Sequence, residues 1–104
     1  MAVSKIGTDF VPFTTLNNNV MYARKNGVVY VRTTAGGLNL NRAGVNLGTL
    51  PTGFRPKMQS DFAATGLGGT ASVFLRVNTN GDIIGYANPD TTYWSGAFSF
   101  LVAI

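Results

Sequence analysis

Val20-Met21-Tyr22-Ala23-Arg24-Lys25-Asn26-Gly27-Val28-Val29-Tyr30-Val31-Arg32-Thr33 is the most strongly patterned part of the chain. Two runs rich in β-branched and aromatic residues flank Asn-Gly, the dipeptide that accepts two positive φ angles, so the segment reads as a hairpin with a type I′ turn. Such a turn sets the register, with Lys25 opposite Val28, Arg24 opposite Val29, Ala23 opposite Tyr30 and Tyr22 opposite Val31. Because side chains alternate along a strand, one face carries Val20, Tyr22, Val29 and Val31, and the other Met21, Ala23, Val28 and Tyr30. Both faces are apolar and both need cover, from a second sheet on one side and from a loop or a neighbouring subunit on the other. The neighbouring subunit is the expectation.

Beyond the hairpin, strand signals recur. Residues 9–15 alternate weakly around Phe10 and Phe13, and Pro12 makes this an edge strand. Residues 16–19 form a turn, 35–44 a surface loop, and Val45-Asn46-Leu47 a short strand. The run Leu47-Gly48-Thr49-Leu50-Pro51-Thr52-Gly53-Phe54-Arg55-Pro56 lacks amide donors at its prolines and is expected to cross between two sheet regions rather than join a ladder. Strands are expected over 58–64, 71–78, 82–87 and 97–104, with turns at 65–70 and 79–81, the latter with Gly81 in the left-handed position. The final strand alternates Phe98, Phe100, Val102 and Ile104 against Ala97, Ser99, Leu101 and Ala103, and is expected to be central and well packed. No stretch of about ten residues carries a 3.6-residue period free of Gly, Pro or β-branched clusters. The chain is therefore expected to be all-β, one domain of about eight short antiparallel strands in a sandwich or barrel.

The composition narrows the functional classes. Eight Lys and Arg stand against four Asp and no Glu, a net charge of +4, and the basic residues are scattered. A nucleic-acid binder usually concentrates them in a stripe or on a helix, so no nucleic-acid partner is expected. Only 12% of residues are charged, which leaves apolar or hydroxyl-rich surface and favours association. Without Cys there is no disulfide framework, and without Cys or His a metal site of that kind has no ligands. No signal-peptide pattern or membrane-length apolar run occurs, so a soluble chain is expected, without membrane insertion. Residues 1–7 carry no pattern and read as the continuation of a longer chain.

Taken in order, the Arg24-Lys25-Asn26-Gly27 hairpin, the Leu50-Pro51-Thr52-Gly53-Phe54-Arg55-Pro56 connector, the Val73-Phe74-Leu75-Arg76-Val77 strand, the Asn80-Gly81-Asp82-Ile83 turn and the closing run from Trp94 through Val102 resemble the C-terminal head domains of phage tail and baseplate receptor-binding proteins, especially those of siphophages infecting Gram-positive bacteria. The resemblance covers roughly residues 19–104 and leaves 1–18 unmatched. It implies a jelly-roll-like β-sandwich that forms a homotrimer; the apolar second face of the first hairpin, Met21, Ala23, Val28 and Tyr30, is where the trimer contact is expected, with core burial within one chain as the competing reading. It also implies a place in the virion at the tail tip or baseplate after synthesis in the host cytoplasm, other tail or baseplate proteins as neighbours, and a bacterial cell-surface saccharide as ligand. The family's ligand groups include His, which this chain lacks.

Catalysis has few candidates. With no His or Cys, the usual general base and thiol nucleophile are missing, and a glycosidase would need two of Asp9, Asp61, Asp82 and Asp90 facing each other across a groove. No enzyme activity and no cofactor are expected. A saccharide site needs an aromatic platform beside planar hydrogen-bonding groups, and Asn88, Asp90, Tyr93 and Trp94 supply that mixture within one segment. Trp94 is either this platform or the largest core anchor at a strand entrance. Asp61 is a further candidate, with Arg55 or Arg76 as charged donors suited to a phosphate-bearing saccharide, or as partners in ion pairs. The competing reading is a purely structural trimeric tail-fibre or baseplate module without a ligand.

Overall fold

A computed structural model describes residues 10–35, 38–66 and 71–102. The unpatterned start, the Gly36-Gly37 pair, most of the 65–70 turn and the last two residues of the closing strand lie outside them. The described residues form eight strands and no helix: β1 Phe10–Thr15, β2 Val20–Lys25, β3 Val28–Thr34, β4 Val45–Thr49, β5 Ser60–Gly66, β6 Ser72–Val77, β7 Asp82–Asn88 and β8 Trp94–Leu101. The spatial order is β1-β2-β3-β8-β5-β6-β7-β4, and each neighbouring pair is antiparallel.

The hairpin has the register its turn dictates, with Lys25 opposite Val28 and Tyr22 opposite Val31. Asn26 and Gly27 take φ of 53° and 78°, the pair of positive values a type I′ turn needs. At the second hairpin Gly81 has φ of 97°, and the Asn78 amide donates to Asp82 O at 2.9 Å. β1 is an edge strand whose ladder is interrupted between Val11 and Thr14, around Pro12. The closing strand is central, between β3 and β5.

The strands join into one sheet. β5 pairs with β6 through Ser60–Ala64 and with β8 through Thr65 and Gly66, so a single strand turns the corner between the two halves. The sheet curls about its inward face into a half-barrel. Val29 and Val31 from β3, Leu75 and Val77 from β6, Ile83 from β7 and Trp94 from β8 point inward and are fully buried. Each such aliphatic side chain contributes about 1.5–3 kcal/mol on burial. Phe62 stacks on Phe98 at 4.4 Å between ring centroids, filling the inner side where β5 and β8 diverge.

The connector differs in part from the sequence expectation. Leu47, Gly48 and Thr49 belong to the ladder strand β4, with an irregularity between Asn46 and Gly48. Only the following residues cross, and they span the open side of the curl. Leu50 is buried, the Phe54 ring meets Tyr22 edge-on at 4.9 Å, Arg24 donates to Gly53 O at 2.5 Å, and Pro56 bridges to Val102. The Asn17 side-chain amide donates to Leu47 O at 2.6 Å, so the β1–β2 turn reaches the opposite margin of the sheet. The prolines suit this role, since a chain crossing an open mouth has no ladder to supply.

Candidate functional site

The segment expected to hold the ligand divides in two. Trp94 is 1% exposed, and its indole Nε1 donates to Leu38 O at 2.9 Å. The loop bearing Leu38 and the fully buried Leu40 covers it, held in place by the Leu40–Thr91 bridge. Trp94 is thus the core anchor, and its ring offers no face to a ligand. Tyr93 is 69% exposed, and Asp90 and Asn88 are exposed beside it. Asn88 ends β7 rather than lying in the loop.

Arg55 sits elsewhere. Its Nε donates to Leu50 O at 2.9 Å, and its guanidinium is close enough to Asp82 to favour the charged carboxylate. Asp82 begins β7 and Asn88 ends it, and a seven-residue strand separates its ends by roughly 20 Å. Arg55 and the Asn88–Tyr93 segment therefore occupy opposite ends of the sheet and do not form one site.

The outward face of β5, β6 and β7 gathers a different group. Alternation sends Phe74 and Arg76 outward from β6, because Val73, Leu75 and Val77 face the core. Register places Arg76 between Asp61 and Ile84, and Phe74 between Ala63 and Tyr86. The Phe74 and Tyr86 rings stack at 4.7 Å with 13° between planes. The Arg76 guanidinium lies over both, 5.9 Å and 5.4 Å from the two centroids, within range of a cation–π contact. Nε and Nη2 of Arg76 donate to the two Asp61 carboxylate oxygens at 2.8 and 3.2 Å. Asn88 lies on the same face, two residues beyond Tyr86.

Two details set the surroundings of the half-buried Tyr86 and the exposed Phe74. A Cβ on Gly44 would stand 2.6 Å from Tyr86 Cε1, so only glycine lets the 41–44 segment lie against that ring. On the β5 side Phe74 faces Ala63, an exposed methyl that leaves the ring 37% accessible. An uncovered aromatic beside a fork of planar polar groups can stack on the C–H face of a ring and hydrogen-bond its substituents.

Phe74 and Tyr86 are absent from the sequence candidates, although the signal was there. A hairpin closing on Asn78 and Asp82 sets Val77 opposite Ile83 and, three steps on, Phe74 opposite Tyr86, on the face that already held Arg76.

The outward face of β1, β2, β3 and β8 is different in kind. Register aligns Phe10, Lys25, Val28 and Leu101 in one row across these strands. Leu101 is 73% exposed, and Phe10, Phe13, Met21 and Tyr30 are also exposed. Of the four residues expected at a subunit contact, Met21 and Tyr30 are open to solvent and Val28 is partly covered. Ala23 is buried at the floor of a groove walled by Phe10, Pro12, Phe13 and Tyr30, so its own chain supplies much of its cover.

Two carboxylates on the sheet are held below the ordinary carboxylate range, Asp82 chiefly by the Thr49 hydroxyl and then by the Asn80 amide, and Asp61 by its hydrogen bonds to Arg76. A depressed pKa in the folded state stabilises the fold at pH above the unfolded-state value and is lost as pH falls through the folded one. The urea midpoint is expected to decline below about pH 4, and to decline less steeply in Asp82→Asn than in the native chain. Equilibrium unfolding across that range checks this, and parallel pH profiles would contradict it.

No protein-family model matches the chain, and no curated protein matches it.

Proposed function

We propose that this chain is a non-catalytic host-adhesion module: a jelly-roll-like, homotrimeric head domain of a phage tail or baseplate receptor-binding protein, carried on the virion and binding a bacterial cell-surface saccharide. The observation that carries the reading is the Phe74–Tyr86 stack, its Phe74 ring exposed and its Tyr86 ring half-buried, beside the Arg76–Asp61 fork. The all-β architecture and the sequence resemblance accord with it. The apolar outward face of β1, β2, β3 and β8 suits assembly with further copies or with other tail or baseplate proteins. A single shallow patch on an open sheet binds weakly, and several copies on one particle raise the avidity.

The test is retention of the protein on bacterial cell walls, with competition by added oligosaccharide. Phe74→Ala and Tyr86→Ala are each expected to weaken retention about tenfold, the effect of losing roughly 1.4 kcal/mol of stacking, without changing the oligomer seen in light scattering. Undiminished retention by both variants would count against the patch.

The exposed apolar face also favours the second reading, a structural trimeric module without ligand. That module would form the same oligomer and ignore cell walls, so the same retention assay separates the two.

A further inference from the structure

We infer that the Phe74–Tyr86 patch takes uncharged saccharide rings and rejects phosphate- or carboxylate-bearing ones, and that Asp61 sets this preference. The inference rests on the reading of the patch as a saccharide site and adds the class of sugar.

An arginine on an aromatic platform would ordinarily attract anions, since its fork matches phosphate and carboxylate. Here the Nε–Nη2 edge of the fork is already occupied from within the chain. Two of its donors reach the two oxygens of Asp61, the bidentate arrangement that external anions would otherwise use. The pair is partly exposed, with 32% of the Arg76 side chain and 49% of the Asp61 side chain accessible. Any group that approaches that edge of the guanidinium therefore also meets the carboxylate.

A hydroxyl gains on both sides of such a pair, because it can accept from the guanidinium and donate to the carboxylate. An anion must displace Asp61 or lie against it, and two anionic groups at one site repel. The Asp61 carboxyl is held in its charged form by the same hydrogen bonds, so this discrimination persists at neutral pH. The register fixes the arrangement, with Asp61 opposite Arg76 and Ala63 opposite Phe74, two residues apart on the same face.

The experiment uses the full chain and Asp61→Asn, which keeps the shape of the side chain and removes its charge at an exposed position. Each is applied to an array of matched oligosaccharides that differ only in a phosphate or carboxylate substituent. In parallel, inorganic phosphate is titrated while the Arg76 Nε–H resonance is followed by NMR. The native chain is expected to retain the neutral member of a pair at least fivefold better than its charged partner and to show no saturable phosphate shift at Arg76. Asp61→Asn is expected to lose that preference and to acquire a saturable shift.

A native chain that retains charged members as well as neutral ones, or that binds phosphate at Arg76, overturns the inference and leaves the saccharide reading standing. An unchanged preference in Asp61→Asn overturns the role of that residue. Failure of the native chain to retain any array member removes the saccharide reading itself, and the inference with it.

Discussion

Trp94→Ala is expected to lower the stability of the fold by about 3–5 kcal/mol, the range for truncating a buried tryptophan. The ring is 1% exposed and begins the central strand, beneath the loop that carries Leu38 and Leu40. Its loss removes the contacts of the largest core side chain and strips Leu38 O of its hydrogen bond. Native domains are stable by only about 5–15 kcal/mol, so the variant loses a large share of the total. Trp94→Phe keeps most of the apolar body but not the indole N–H, and is expected to fall between the two. Urea midpoints order the three proteins. The same samples, measured where they remain folded, are expected to bind cell walls like the native chain. A Trp94→Ala protein of undiminished stability that no longer bound would restore this residue as a ligand platform.

Gly81→Ala has the next largest expected effect, about 2–4 kcal/mol, and Gly27→Ala serves as its control. Both glycines have positive φ, and an alanine forced into that region costs about 1–2 kcal/mol at either site. Their surroundings differ. Nothing lies within 4 Å of a Cβ built on Gly27. A Cβ on Gly81 would collide with Leu50 O and stand 3.1 Å from Leu50 N. These are backbone atoms at the start of the crossing segment, whose amide donates to Gly81 O at 2.9 Å. The alanine therefore either strains the turn or pushes Leu50, fully buried, from its place. Equal midpoints for the two variants would show that the crossing segment yields without cost.

The two outward faces of the sheet differ in chemical character. The β1-β2-β3-β8 half presents Met21, Tyr30 and Leu101, large exposed groups, alongside Lys25 and Arg32. The β5-β6-β7 half presents an aromatic stack already engaged with an ion pair. An exposed pair of this kind adds little to stability, about 0–1 kcal/mol.

Local rules carry much of this protein. Asn26-Gly27 determined the first hairpin and its register, Gly81 the second, Pro12 an edge, and alternation through Phe98, Phe100 and Val102 a central strand, because turn conformation and the two-residue period are settled by neighbours in sequence. Tertiary structure alone decided that the strands form one curled sheet, that the crossing segment closes its open side, and that Ala23 is covered by β1. It also decided the fate of Trp94, whereas the Phe74–Tyr86 pairing follows from the second hairpin's register. A tryptophan at a strand entrance is exposed or buried according to which distant loop lies over it, and here that is the loop of Leu38. Asp61 and Arg76 become partners only when β5 and β6 pair, across a turn whose closure no local signal measures.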